Sequence, residues 1–248
     1  MIPRGFQLAG ARCGLKNRRN DVGLILSDRP AAAAGVFTTN LVHAACVDVS
    51  REAVAREALR AIAVNSGNAN CCTGEQGLRD SRRMALLAAK ALGVTGDEVA
   101  VASTGVIGHL MDMAKLEKGI ELAAGALGDD PRPFMEAILT TDLVEKSAYA
   151  ELGAGRIFGM AKGSGMIAPR LATMLAFVIT DLSVRPERLS AALSRACETT
   201  FNCLTVDGDA STNDMVLVLA NGASEVEPTD ADLDEALMHG INSVRRTS

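Results

Sequence analysis

The chain has 248 residues, 48% of them apolar, and 25 Lys and Arg stand against 30 Asp and Glu for a formal charge of -5. That is enough apolar material for one sizeable core or two closely packed lobes, which excludes a disordered chain. The acidic balance, with no basic cluster beyond Arg18-Arg19 and Arg245-Arg246, excludes nucleic acid or an anionic membrane as the main partner and favours a small soluble substrate.

Residues 22–27 (VGLILS), 35–39 (GVFTT) and 44–49 (AACVDV) read as three short adjacent strands, parted by turn residues such as Asp28, Arg29, Pro30 and Asn40. Ser50 reads as the N-cap of a helix over REAVAREAL. RAIAVNSGNAN follows as a buried strand running into a polar turn, and a helical pattern covers Leu78 to Leu92. The Asn- and Gly-rich stretch 65–77 either forms one wall of a ligand site or merely builds turns. Glu98–Ala102 predicts a strand opening into STGVIG at 103–108, ahead of a helix from Lys115 to Leu127. Small residues between strand and helix can turn successive N–H groups, with the Thr104 hydroxyl, toward one point, as an oxyanion hole requires. A phosphate loop is the competitor, but neither GxGxxG nor GxxxxGK[ST] is present.

A short helix is expected over Pro133–Leu139, then Thr140-Thr141-Asp142, whose hydroxyls in the plainest reading only end that helix. A strand over 156–161 (RIFGMA) leads into GMAKGSGMIAPRLATMLAFVITD, residues 159–181. There a flexible approach carrying Lys162 meets Pro169, and Thr173 is presented at the mouth of an apolar strand. Most Thr residues at strand starts are only β-formers. If the preceding peptide is strained, however, the hydroxyl can attack the carbonyl before it, and hydrolysis of the ester frees an N-terminal Thr. Its α-amine, with an ordinary pKa near 8, then sits beside the hydroxyl as a base.

Pro186 begins a helix to about Thr200, MVLVLA at 215–220 reads as a buried strand, and a last helix starts near Asp230 and is broken at Gly240. FNCLTVDGDASTND at 201–214 reads as a strand and polar turn; Asp207, Asp209 and Asp214 invite a calcium reading that fails for want of EF-hand spacing. The six cysteines lack CxxC pairing, so no metal site is expected and they read as mostly reduced, buried small hydrophobes. His43, His109 and His239 leave few candidates for a His-based triad, which favours a site that brings its own base. No apolar run reaches membrane-spanning length and MIPRGFQLAG has no signal-type apolar stretch, so the expected location is the cytoplasm.

NSGNAN-x-x-TG-x-x-G, STGVIG, TTD, GMAKGSGMIAPRLATMLAFVITD and FN-x-x-TVDGD-x-STND occur in one chain in this order, and from Gly5 to about Gly222 it resembles the ArgJ family, the glutamate N-acetyltransferases (ornithine acetyltransferases) of arginine biosynthesis. The resemblance implies an α/β fold of mixed layers, DmpA/ArgJ-like, with the nucleophile Thr at the start of a core strand. It implies self-cleavage at Ala172-Thr173 into an α-chain segment, residues 1–172, and a β-chain segment whose N-terminal part is 173–248, the two remaining together as α2β2 or larger. Thr173 would carry the acetyl group of N-acetylornithine as an ester and pass it to glutamate, with no cofactor and no metal; some relatives accept acetyl-CoA as donor. Thr104 and Gly105 match the oxyanion pair and Lys162 a substrate-contacting lysine; one of Thr140 and Thr141 matches a further substrate contact.

The chain departs from the family pattern at Met111-Asp112-Met113, at Cys46, and at Arg170-Leu171 before the scissile pair. The family's DGEGAT segment, with its substrate-binding Glu, has no counterpart through Ser248, so part of the substrate pocket is expected beyond it. Two other readings stand beside the first. One is a self-processing aminopeptidase or amidase, with water as acceptor; the other is an inactive truncated paralogue acting as a binding or structural domain.

Overall fold

The computed structural model describes residues 1–142, 144–163, 174–199 and 211–245. Fourteen elements organise them: β1 (Phe6–Ala11), β2 (Val22–Phe37), α1 (Ala45–Val54), β3 (Ala58–Asn68), α2 (Gly74–Leu92), β4 (Val99–Val106), α3 (Met113–Ala124), α4 (Arg132–Ile138), β5 (Lys146–Leu152), β6 (Gly155–Lys162), β7 (Leu175–Thr180), α5 (Pro186–Thr199), β8 (Met215–Ala220) and α6 (Asp230–Arg245). The strands form one mixed sheet in the order β4-β3-β2-β8-β7-β6-β5, with β1 also paired to β2. β3–β4 and β7–β8 are parallel, and the remaining pairs are antiparallel.

β2 joins the two halves of the sheet. Its first part, Val22–Leu26, pairs with β1 and β3, and its last part, Ala32–Phe37, pairs with β8. The register breaks between Leu26 and Ala31. The exposed Asp28-Arg29-Pro30 lies at this break, where Pro can be tolerated inside a strand. The two runs expected as separate strands at 22–27 and 35–39 are therefore one.

The apolar runs LAFVIT and MVLVLA lack an alternating polar face because both faces are covered. Leu175, Phe177, Ile179, Met215, Leu217 and Leu219 share a core with β1–β4 and α1–α4. The alternate residues Ala176, Val178, Val216 and Val218 pack with Leu189 and Leu193 of α5 and Leu237 of α6. Phe134 of α4 meets Phe177 edge-on at 5.5 Å. β7 and β8 are thus packed on both faces.

Four further expectations are corrected. Residues 44–49 are not a strand: α1 begins at Ala45, and Cys46, Val47, Ser50 and Ala53 fall on one buried face at helical spacing, which outweighs the β-preference of the valines. Ser50 is accordingly inside α1 rather than its cap; its hydroxyl donates to Val101 O at 2.6 Å and accepts from Val101 N at 2.8 Å. β4 continues to Val106, so Ser103-Thr104-Gly105 belongs to a strand and not to a loop. α6 runs through Gly240 unbroken, because Leu233, Leu237 and Ile241 bury one continuous face. The predicted strand at 201 onward, with Asp207 and Asp209, lies outside the described residues. Among the described residues no helix is long and apolar enough to cross a membrane.

Candidate active site

Parallel pairing of β3 with β4 sets Asn65 opposite Ser103, Ser66 opposite Thr104 and Gly67 opposite Gly105, so two of the polar motifs lie side by side. Gly105 has φ +133°, and a Cβ there would fall 2.4 Å from Gly67 C and 2.6 Å from Asn68 N. Only glycine fits that approach of two backbones. Around it runs a network of neutral groups. Ser103 Oγ donates to Asn65 Oδ1 (2.7 Å), and Asn65 Nδ2 donates to Asn68 O (2.9 Å). Asn213 Nδ2 donates to both Ala69 O (2.7 Å) and Ser103 O (2.8 Å), while Thr212 Oγ1 donates to Asn213 Oδ1 (2.6 Å). Asn213 thereby ties the segment before β8 to both motifs.

Lys162, the last residue of β6, pairs in register with Leu175 and reaches across to this network, its Nζ donating to Thr104 Oγ1 at 2.6 Å. That bond occupies a lone pair of the hydroxyl and leaves its hydrogen available to another acceptor. Burial holds the Lys162 pKa below the usual lysine range; the charges of Asp142 and Asp214 draw it back up and that of Lys146 pushes it down. Asp142 accepts from Gly163 N at 2.7 Å and lies 3.4 Å from Lys146 Nζ, which itself donates to Gly163 O at 2.6 Å. The backbone just past Lys162 is fixed by an ion pair that is almost wholly buried.

Asp214 is 1% exposed and accepts from Met174 N at 2.9 Å. Burial raises its pKa to about 7, against the pull of the Met174 N–H, the Ser211 hydroxyl and the Lys162 charge. Among the described residues, Asp142 Oδ2 and Asp214 Oδ2 are buried without a hydrogen-bond partner. Cys46 Sγ accepts a further, long contact from Asn213 Nδ2 at 3.7 Å, as a buried thiol rather than a nucleophile. Burial is the largest influence on Cys46, whose pKa stands at about 11, and on Cys13 and Cys197, at about 12.

Of the residues singled out from sequence, Thr104, Gly105 and Lys162 come together. Thr140 is half-buried and Thr141 exposed in the segment after α4, and their neighbour Asp142 anchors that segment to Gly163. Ala172 and Thr173 lie outside the described residues; the described chain resumes at Met174. Sequence reasoning passed over Asp142, Lys146 and Asn213, and weighed Asp214 only for calcium. The signal for the last two was the polar STND run placed directly against a wholly apolar strand, and for Asp142 the acid closing TTD.

The chain matches the ArgJ family over residues 7–246 and belongs to it. It is 47% identical to the arginine biosynthesis bifunctional protein ArgJ of Thermotoga neapolitana, over 98% of this chain and 64% of that protein. The crystal structure of arginine biosynthesis bifunctional protein ArgJ from Bacillus halodurans is 37% identical with a TM-score of 0.59, matching 70% of this chain and 92% of that one. The ornithine acetyltransferase of Mycobacterium tuberculosis complexed with ornithine is 35% identical with a TM-score of 0.63, over 70% of this chain and 94% of that one. The chain spans less than two thirds of the curated relatives' length, 64% of the Thermotoga protein and 57% of the Shouchella clausii one.

Proposed function

We propose that this protein is a self-cleaving N-terminal-nucleophile acetyltransferase that moves acetyl from N-acetylornithine to glutamate in arginine biosynthesis. The observation that carries the reading is the Lys162–Thr104 contact beside Gly105, with Lys162 paired in register to Leu175, the first residue of β7 and two residues after Thr173 in sequence. The relatives' names support the reaction class, and the ornithine bound to the Mycobacterium enzyme supports the product amine.

In this mechanism Thr173 Oγ attacks the Ala172 carbonyl, the acyl group shifts from nitrogen to oxygen, and water cleaves the ester to leave a carboxylate on Ala172 and an amine on Thr173. The freed amine then takes the Oγ proton as that oxygen attacks the acetyl carbonyl. Oxyanion charge develops against the Thr104 hydroxyl and the Gly105 N–H. The Lys162 ammonium on Thr104 Oγ1 polarises the hydroxyl and makes it a stronger donor. Each such donor is worth about 2.7–4 kcal/mol of barrier. Ornithine leaves with the proton, and the amine of glutamate attacks the acetyl ester to regenerate Thr173. Lys162 and one of Thr140 and Thr141 receive the substrate carboxylate; no cofactor or metal enters, and acetyl-CoA is an alternative donor. Segments 1–172 and 173 onward stay assembled, as α2β2 or larger, in the cytoplasm.

Denaturing electrophoresis with intact-mass measurement tests the cut. Two pieces divided after Ala172 are expected from folded wild-type protein and one inactive whole chain from Thr173→Ala; acetyl exchange at the wild-type rate in that variant would remove Thr173 from the role. Faster acetyl transfer to glutamate than to water separates the transferase from a hydrolase.

A further inference from the structure

We infer that Cys71 and Cys72 form a thiol modification site, which a low-molecular-weight disulfide oxidises to a vicinal disulfide that shifts the chain beside Gly105 and slows acetyl transfer. The bond stands on the geometry of the pair; its effect on turnover rests on the acetyltransferase reading above.

The two cysteines lie in the polar stretch between β3 and α2. Successive side chains of an extended chain point to opposite faces, which would carry two adjacent thiols apart. Here they stay together. Cys72 has φ +58°, a left-handed backbone that residues other than Gly, Asn, Asp and His seldom adopt, and its Sγ lies 3.8 Å from Cys71 Sγ. Cys46, Cys71 and Cys197 are buried, as the sequence led one to expect, whereas Cys72 is exposed. One thiol is therefore open to a reagent in solution, and the other stands behind it as the resolving group. Burial, followed by the neighbouring Cys72, holds the Cys71 thiol above its ordinary range against a hydrogen bond with Thr212. Exposure makes Cys72 the sulfur that reacts first.

The loop that carries the pair clasps the end of β4. Ala69 N donates to Val106 O and Gly108 N donates to Cys71 O, both at 2.9 Å, while Ala69 O is held by Asn213 Nδ2 at 2.7 Å. The residue after Gly105 is thus fixed by the residue two before Cys71. A disulfide needs its sulfurs about 2.05 Å apart, so closing the pair draws them together by roughly 1.8 Å. The usual Cα separation across a disulfide is about 4.4–6.8 Å, and consecutive residues stand only about 3.8 Å apart. The ring is therefore strained and must turn the peptide between the two residues, taking with it the carbonyl that Gly108 uses. Strain also raises the reduction potential of the bond, so the ring reopens when thiols are in excess.

The exchange balances in two steps. The Cys72 thiolate attacks one sulfur of the reagent, forming a mixed disulfide and expelling one reagent thiolate. The Cys71 sulfur then attacks the Cys72 sulfur, forming the Cys71–Cys72 bond and expelling the second. Two protein thiols are oxidised, one reagent disulfide is reduced, and the two protein thiol protons end on the expelled thiolates.

The test treats the whole chain with oxidised glutathione, blocks free thiols with iodoacetamide, maps the mass of the peptide carrying residues 71 and 72, and measures acetyl transfer before and after dithiothreitol. The expected peptide is lighter by two hydrogen atoms and resists alkylation until it is reduced. Displacement by about 1 Å at a positioned group can cost about 10²-fold, so kcat should fall by about tenfold or more and recover on reduction. Cys72→Ser, at an exposed position, should keep the untreated rate and lose the response. Cys71→Ala should lose the ring and accumulate a glutathione adduct on Cys72. In wild type, two thiols still open to alkylation after treatment, or an adduct on Cys72 that goes no further, would overturn the site. Inhibition that persists in Cys72→Ser, or a closed ring with unchanged kcat, would overturn its link to turnover. A chain without transferase activity in either redox state would fail the reading above, and the peptide mass would still decide whether the bond forms.

Discussion

On the β3–β4 side of the Lys162–Thr104 contact, Asn65, Ser103, Thr212 and Asn213 are neutral, and their amides and hydroxyls close on one another and on main-chain carbonyls. On the β6–β7–β8 side, Lys162, Asp142, Lys146 and Asp214 are ionisable and buried, and two carboxylate oxygens go without partners among the described residues. The first wall spends its polar atoms on holding Gly105 against Gly67. The second keeps charge and hydrogen-bonding capacity in reserve beside the entry to β7. Buried neutral networks gain rigidity when every group is satisfied, whereas buried charges cost stability unless something completes them. The contrast separates a wall whose hydrogen bonds are complete from one whose ionisable groups are not fully partnered.

The largest expected effect concerns the cost of the charged wall. The folded-state pKa of Asp214 is raised from 3.8 to about 7. For a carboxyl shifted this way the folded protein binds more protons than the unfolded one between those values, so stability from this group is greatest below pH 4 and is lost as pH rises toward 7. In the uncut Thr173→Ala background, Asp214→Asn should therefore be close to neutral at pH 4 and stabilising by up to roughly 4 kcal/mol at pH 8, measured by denaturant unfolding at both values. A constant difference across that range would mean the carboxylate is not strained in the fold.

Next in size is the chemical step. Lys162→Met keeps the apolar stem and removes the ammonium from Thr104 Oγ1, and kcat should fall by about 10²-fold or more, a barrier of about 2.7 kcal/mol. Retention of most of the wild-type kcat would show that the ammonium does not strengthen Thr104 as a donor. On the neutral wall the corresponding loss is in stability. Asn213→Ala strips the donor from two buried carbonyls, Ala69 O and Ser103 O, and should destabilise by about 3 kcal/mol in denaturant titration. A change under half a unit there would show that the network does not hold the two motifs together.

How much of this was legible beforehand follows the same division. Apolar runs such as MVLVLA announced strands buried on both faces, and Pro186 marked the start of α5. The family motifs singled out Thr104, Gly105 and Lys162, which do converge. What the sequence hid is set by pairing across distance. That Asn65 lies beside Ser103 depends on a parallel register, and that Asp214 reaches Met174 depends on β7 and β8 lying side by side. Local propensity also misled at 44–49, where Val47 and Val49 favoured a strand and one-sided burial imposed a helix. β1 and β5 went unpredicted because their short runs, FQLAGA and KSAYAEL, mix small and polar residues and gain their form from the neighbouring strand.

The smallest expected effect tests whether the neutral wall behaves as one unit. Ser103→Ala removes a single hydroxyl donor from Asn65 Oδ1, with little change in volume, and should cost about 1 kcal/mol. Asn65 keeps its other bond to Asn68 O, so the amide stays anchored and the loss is local. Ser103 O is also the acceptor for Asn213 Nδ2, which makes the two positions neighbours in one network rather than independent sites. Combining Ser103→Ala with Asn213→Ala should consequently depart from the sum of the single losses by about 0.5 kcal/mol or more. Additivity within about 0.3 kcal/mol would instead describe separate contacts that happen to adjoin, and the rigidity of Gly105 would then owe more to the close approach of Gly67 than to the hydrogen bonds around it.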